Sequence, residues 1–272
     1  MTTQPAAPRT TEWDATSYHR VSNPHVAWGG KVLDRLPLRG DETVLDAGCG
    51  TGRLTADLLE RLPAGRVVAL DASANMLDVA ERELAPRFGD RVRFVRADLQ
   101  AVTPELVGGP VDAVFSTATF HWVPNHDRLF RGLFSVLAPG GWLVAQCGGG
   151  PNLAALRARA DALLAVPPFA EHIAGWPGPW TFATDAETAI RLASAGFVDV
   201  RTDLEEQRTP MGDEAAYREF LTTVILGDHL GRLPSEELRA ALVDALAAGA
   251  RADEPPFELD YWRLNLQGRR PS

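Results

Sequence analysis

Residues 44 to 55 read VLDAGCGTGRLT. A short apolar run ending in an acid passes into glycines at every second position, Gly48, Gly50 and Gly52, and then into an apolar helical pattern. Glycine inside regular structure costs roughly 0.5 to 1 kcal/mol, and it is the residue that takes positive φ and lets a second molecule approach the backbone. Three in five residues, between a predicted strand at 43–46 and a predicted helix at 54–61, mark a strand-to-helix turn. There backbone N–H groups and the positive end of a helix dipole face a ligand.

The segments around this turn repeat its alternation. RVVAL at 66–70, RVRFV at 91–95, VDAVFST at 111–117 and GGWLVAQC at 140–147 read as strands, with helical patterns at 75–84 and 128–137 between them. Another helix is expected at 24–35, where Asn23 suits the cap and Pro24 the first turn. Strands alternating with helices of this length imply right-handed crossovers and a doubly wound parallel sheet, which binds ligands beyond the carboxyl ends of its strands. From Pro151 the pattern changes. A helix is expected at 153–166, but 167–182 holds four prolines and four aromatics (Phe169, Trp176, Trp180, Phe182) and reads as irregular. Helices at 186–195, 214–226 and 235–248 and strands at 197–203 and 257–266 complete the chain.

Three acids stand at three consecutive strand ends. Asp46 lies two residues before the first glycine, where it suits an ammonium and repels a pyrophosphate. Asp71 ends the second strand, where a carboxylate takes both hydroxyls of a ribose. Asp98 follows the third, within reach of an adenine amino group, with Leu99 placed to stack on the base; a helix cap is the alternative role for Asp98 taken alone. Together they describe a site for an adenosine carrying an amino-acid tail. A nicotinamide dinucleotide fingerprint would want its third glycine where Arg53 stands.

The 272 residues suffice for one sizeable core. A net charge of −9, with 36 acidic against 27 basic residues, argues against a nucleic-acid-tracking surface. Two distant cysteines, Cys49 and Cys147, read as reduced buried thiols. No signal-peptide core and no run of about 18 apolar residues occurs, so a cytoplasmic protein without membrane attachment is expected. His121 and His126 lack zinc-site spacing and companions, so no metal is expected. His19, His172 and His229 read as surface or packing residues.

VLDAGCGTG, VVALDAS, VRADLQ, VDAVFSTATFHWVPN and LAPGGWLVAQ, in this order, resemble the successive motifs of class I S-adenosylmethionine-dependent methyltransferases. WDATSY with Ser22, FHWVPNH and the C-terminal layout resemble the trans-aconitate methyltransferase family more narrowly. The resemblance implies S-adenosylmethionine as cofactor and an α/β, Rossmann-like, seven-stranded sheet of order 3-2-1-4-5-7-6 with the last strand antiparallel. It implies that Asp46, Gly48, Cys49, Gly50 and Gly52 hold the methionine part, Asp71 the ribose, and Asp98 with Leu99 the adenine. Ala72 and Met76 would line the adenosine, Ser116 would lie near the methyl group, and Tyr18 would touch the cofactor from the N-terminal arm.

The expected acceptor is a small molecule, with carboxylate O-methylation one form of the reaction. His121 is the candidate catalytic residue, expected to face the site while Trp122 packs beneath the loop; His25, Trp122, Trp176 and Trp180 are candidates for acceptor contact. A hydroxyl or amine acceptor would want a base and a carboxylate would not. No cluster of arginines for a tricarboxylate stands out in the sequence. The expected organisation is a disordered tail at 1–12 and one domain at 13–272, with a lid (13–38), a cofactor core (39–150) and a cap and C-terminal part (151–272). A relative that binds the cofactor without catalysis and a nicotinamide-dependent oxidoreductase are the alternatives.

Overall fold

The computed structural model describes residues 23–173 and 175–272, with side chains from Trp28 onward. The expected tail, the arm carrying Trp13, Tyr18, His19 and Ser22, and the side chain of His25 lie outside the described residues. The elements are α1 (Asn23–Leu33), β1 (Thr43–Ala47), α2 (Arg53–Arg61), β2 (Arg66–Asp71), α3 (Ala74–Phe88), β3 (Val92–Arg96), α4 (Pro104–Val107), β4 (Val111–Thr117), α5 (His126–Val136) and β5 (Leu137–Gly148). Then come α6 (Ala154–Leu164), α7 (Ala170–Ile173), α8 (Asp185–Ala195), β6 (Val198–Pro210), α9 (Glu214–Phe220), α10 (Gly227–Leu230), α11 (Glu236–Arg251) and β7 (Glu258–Arg269).

The seven strands form one sheet of order β3-β2-β1-β4-β5-β7-β6. β1 to β5 run parallel, and β7 pairs antiparallel with both β5 and β6. The near-continuous apolar strands follow from burial of both faces. Val44, Val67, Ala69, Phe115 and Val144 pack under α1, α2 and α3, while Leu45, Val68, Leu70, Val114 and Leu143 pack with α5 and α8 on the other side. Both cysteines are free and buried, and burial pushes the Cys147 thiol up to about 12.

Local signals set most boundaries. The Ser73 side chain caps α3, Asn125 caps α5, and Thr184 with Glu187 forms a reciprocal capping box on α8. Three differences from the sequence reading have physical causes. The irregular segment 167–182 contains one short helix, α7. The single helix expected at 214–226 is broken: α9 passes into a π-helical turn at Leu221–Ile225 that buries Leu221, Val224 and Ile225. β6 runs to Pro210, well past the strand expected at 197–203, because it is an edge strand whose backbone pairs with β7 while its charged side chains stay in water. A third apolar cluster, joining Trp28, α6, α9, α11 and Tyr261, forms the cap over the strand ends. Among the described residues no helix is long and apolar enough to cross a membrane.

Candidate active site

At the carboxyl end of β1 the chain turns back on β2: the N–H groups of Gly48 and Cys49 both donate to the Leu70 carbonyl, at 2.8 and 3.0 Å. Gly48 has φ +88°, and a Cβ there would collide with Thr119, whose hydroxyl approaches the Gly48 carbonyl at 3.3 Å. Gly50 has φ +54°, and a Cβ there would meet no atom of the described residues within 4 Å, since it would point into a cleft. Gly52, at φ +82°, opens α2 against Leu84 and Ala80. The three glycines thus serve contact with the loop after β4, open space in the cleft and helix packing respectively.

The cleft has a volume of about 920 Å³ and runs over the strand ends from Gly48 and Gly50 to the cap. Asp71 lines it, with one carboxylate oxygen accepting the Gly50 N–H and the other the Ser73 N–H, both at 2.9 Å. A carboxylate held in place by backbone N–H groups at a strand end is of the kind that suits a vicinal diol. Asp98 also lines the cleft and caps the turn Leu99–Ala101 by accepting the Gln100 N–H at 2.8 Å. Ala72, Met76 and Leu99 line the same wall.

Other expected contacts stand back from the cleft. Asp46 is buried behind the turn, accepting the Thr55 hydroxyl at 2.7 Å; burial, reinforced by nearby Asp71, raises its pKa to about 7 against the pull of Thr55. Burial likewise pushes the Cys49 thiol well up. Ser116 donates to the Ala47 carbonyl at 2.6 Å and is spent on joining β4 to β1, so Thr117, Ala118 and Thr119 line the cleft in its place. Ala118 takes φ +54°, strained for a residue with a side chain, and turns the chain toward Gly48.

His121 and Trp122 both line the cleft, along with Trp176 and Trp180. The tryptophan of the adjacent pair is the more exposed, resting near Trp180 with ring centres 6.0 Å apart, whereas His121 is buried. His121 Nδ1 accepts the Gly148 N–H at 3.2 Å, and its carbonyl accepts the Thr181 N–H at 2.8 Å.

Residues that the sequence analysis does not single out as site candidates line the far end of the cleft. Arg263, on β7, is 2 % exposed and lines the cleft with its guanidinium 4.8 Å from the Trp28 ring centre. Arg232 enters from beyond α10, 4.1 Å from the ring centre of Trp176. Asn152, Phe182 and Tyr261 also contribute. One sequence signal could have exposed Arg263: it falls in phase with Leu259 and Tyr261 on the buried side of β7, where a charge needs a reason.

The glycine turn, the open space beside Gly50 and the paired acceptors of Asp71 fit an adenosine-based cofactor with an amino-acid tail. Residues 44–141 match the family model described as a methyltransferase domain. The chain is 32% identical over 254 residues to trans-aconitate 2-methyltransferase of Azoarcus sp. strain BH72, covering 90% of this chain and 91% of that one. It is 30% identical over 258 residues to the enzyme of the same name from Methylobacterium radiotolerans, with the same coverage of 90% and 91%. Among solved structures, phosphoethanolamine N-methyltransferase 2 of Haemonchus contortus bound to S-adenosylmethionine superposes with a TM-score of 0.60 at 17% identity, over 95% of this chain and 57% of that one. The YcgJ protein of Bacillus subtilis gives 0.62 at 14% identity, over 91% and 100%. The two structures speak for the fold and the two relatives for the family: the chain belongs to the trans-aconitate 2-methyltransferase family of S-adenosylmethionine-dependent methyltransferases.

Proposed function

We propose that this methyltransferase esterifies a carboxylate of a small organic acid. The observation that carries the reading is the hydrogen bond from the Gly148 N–H to His121 Nδ1. A neutral imidazole has one N–H, so with Nδ1 accepting, the proton resides on Nε2 and the ring acts as a donor. A donor suits an acceptor that is already a nucleophile at neutral pH, which a carboxylate is and an alcohol is not. Arg263 supports the same reading, because a buried planar guanidinium in the cleft matches a carboxylate in charge and shape.

In this reading Asp71 takes the ribose hydroxyls, Asp98 the adenine amino group, Met76 and Leu99 the faces of the base, and the turn Gly48–Gly50 the methionine part. Asp46 acts through Thr55 and the shape of the turn. When bound, S-adenosylmethionine supplies a methyl group made electrophilic by its sulfonium. The protein's contribution is to hold the acid, orient one of its oxygens and exclude water, which in well-aligned cases lowers a barrier by roughly 7 to 11 kcal/mol.

Incubation with methyl-labelled S-adenosylmethionine and a panel of acids, phenols and amines tests the reading. The expected product is a methyl ester, whose label is released as methanol by mild alkali. Label that survives alkali, as in an ether or a methylamine, would refute carboxylate esterification.

A further inference from the structure

Three polar side chains cross the sheet beneath α1, where aliphatic residues would pack as well. Gln146 on β5 stands opposite Asn265 on β7, and Asn265 stands opposite Asp203 on β6. Their chain neighbours Ala145, Cys147, Leu264 and Leu266 belong to the core on the other face, so alternation along the strands turns Gln146, Asn265 and Arg263 toward the α1 side. Gln146 and Asn265 are buried. A buried amide is costly unless bonded, and even a bonded pair stabilises little more than apolar side chains of the same shape, so two amides in one rung need a reason.

The hydrogen bonds give the rung a direction. A carboxylate only accepts, so Asn265 turns its Nδ2 to Asp203 Oδ2, at 2.9 Å, and its Oδ1 inward. Gln146 Nε2 donates to that Oδ1 at 2.8 Å, which turns Gln146 Oε1 to accept the Nε–H of Arg263 at 3.4 Å. Turning either amide over would set donor against donor or acceptor against acceptor. The rung thus runs with matched polarity from Asp203, exposed at the sheet edge and near Arg35, to a guanidinium buried in the wall of the cleft. Trp28 covers the face of that guanidinium and the rung holds its Nε edge. Two restraints from different directions remove in advance the rotamer freedom that a long side chain would otherwise lose on binding an anion.

Resting on the carboxylate reading, we propose that Gln146 and Asn265 are positioning residues for acceptor binding, which act through Arg263 and are anchored by Asp203 at the sheet edge. Asp71 and Asp98 follow β2 and β3, on the other side of the sheet from this rung, so cofactor affinity does not depend on it.

Two readouts test this. The Nε–Hε cross-peak of Arg263, identified by its loss in Arg263→Met, reports the tether in the ligand-free protein. Kinetics with the best acceptor of the labelling panel, with butanoate, benzoate and succinate among its acids, report the binding. Gln146→Met removes the acceptor for Nε, and Asn265→Leu cuts the rung one step further out should the first variant fold poorly. Exchange of the Hε proton with water is expected to quicken at least about tenfold, and the acid's KM to rise at least about fivefold, with kcat and S-adenosylhomocysteine affinity within about twofold of wild type. In an Arg263→Met background, Gln146→Met should add nothing to KM. Asn265→Asp sets two carboxylates face to face; adding Asp203→Asn restores one donor and one acceptor there, and should recover most of the slow exchange and of the KM. Unchanged Hε exchange in a folded Gln146→Met or Asn265→Leu, a KM effect that persists in full without Arg263, or no recovery in the exchanged pair would overturn the proposal. If Hε exchange responds as expected while the panel yields an ether or a methylamine, the hold on Arg263 stands and the carboxylate reading fails.

Discussion

The imidazole of His121 and the backbone N–H of Gly148 are joined at 3.2 Å, tying the loop after β4 to the end of β5 across 27 residues of chain. Because Nδ1 is the acceptor, a proton added there would face the Gly148 donor. His121→Ala is expected to lower turnover at least about tenfold, on the order of 1.4 kcal/mol in the transition state, with little change in cofactor affinity. The pH profile of kcat/KM should show no ascending limb that disappears in the variant, and nitrogen NMR of the imidazole should find the proton on Nε2. An ascending limb lost in His121→Ala would assign the ring as a base and end the donor reading.

Gly48 and Gly50 are two residues apart and should fail in different ways. Gly48→Ala drives a Cβ into Thr119 at a positive φ, so the expected loss is in folding, above about 3 kcal/mol by chemical denaturation. Gly50→Ala meets no described atom within 4 Å and carries mainly the conformational cost, on the order of 1 kcal/mol. Its Cβ occupies ligand space, so S-adenosylmethionine should bind at least about tenfold more weakly to a protein that remains folded. Wild-type affinity in Gly50→Ala would move the ligand away from this turn.

These glycines explain why this end of the cleft is legible in sequence. A strand, a turn that requires positive φ and a helix occupy one continuous window, and Asp71 and Asp98 each follow a strand recognisable by composition. The far end of the cleft has no such window. Asn152, Arg232 and Arg263 come from a loop, a helix end and an antiparallel strand, and they meet only once the cap closes over the sheet. Neither a motif resemblance nor a position along the chain reports where a side chain points: Asp46 turns back to Thr55 and Ser116 to Ala47. The extension of β6 was hidden because an edge strand is held by backbone pairing with β7 and its polar residues carry no period.

Asp46 should leave a signature in the stability of the ligand-free protein. Its folded pKa, about 7, lies above the roughly 3.9 of an unfolded chain, so between these values the folded form keeps a proton that the unfolded form releases. Its contribution is fully present below about pH 4 and is lost as pH rises through 7, at up to about 1.4 kcal/mol per unit of pKa difference. Asp46→Asn, which can still accept the Thr55 hydroxyl, does not titrate. Its melting temperature relative to wild type is expected to climb from pH 4 to 7 and level off above. A difference that stays flat over that range would mean that Asp46 ionises normally.

Arg263 allows a separation of acceptor binding from cofactor binding. Its Nε donates to the Gln146 side chain at 3.4 Å; Gln146 in turn donates to Asn265 at 2.8 Å, and Asn265 to Asp203 at 2.9 Å, a polar chain crossing β5, β7 and β6. The chain fixes the guanidinium from behind, while Trp28 holds its face. Arg263→Lys keeps the charge but loses the planar fork and the stacking surface, so it tests shape more than charge. The expected result is a rise in acceptor KM of at least about tenfold, with S-adenosylmethionine affinity within about twofold of wild type, because no residue of the Asp71 and Asp98 wall is disturbed. Arg263→Met removes the charge as well and should raise KM further, with a smaller effect of added salt on acceptor binding than in wild type. If both variants retain the wild-type KM for the true acid, the carboxylate is held elsewhere in the cleft, and Arg232 is the next cation to test.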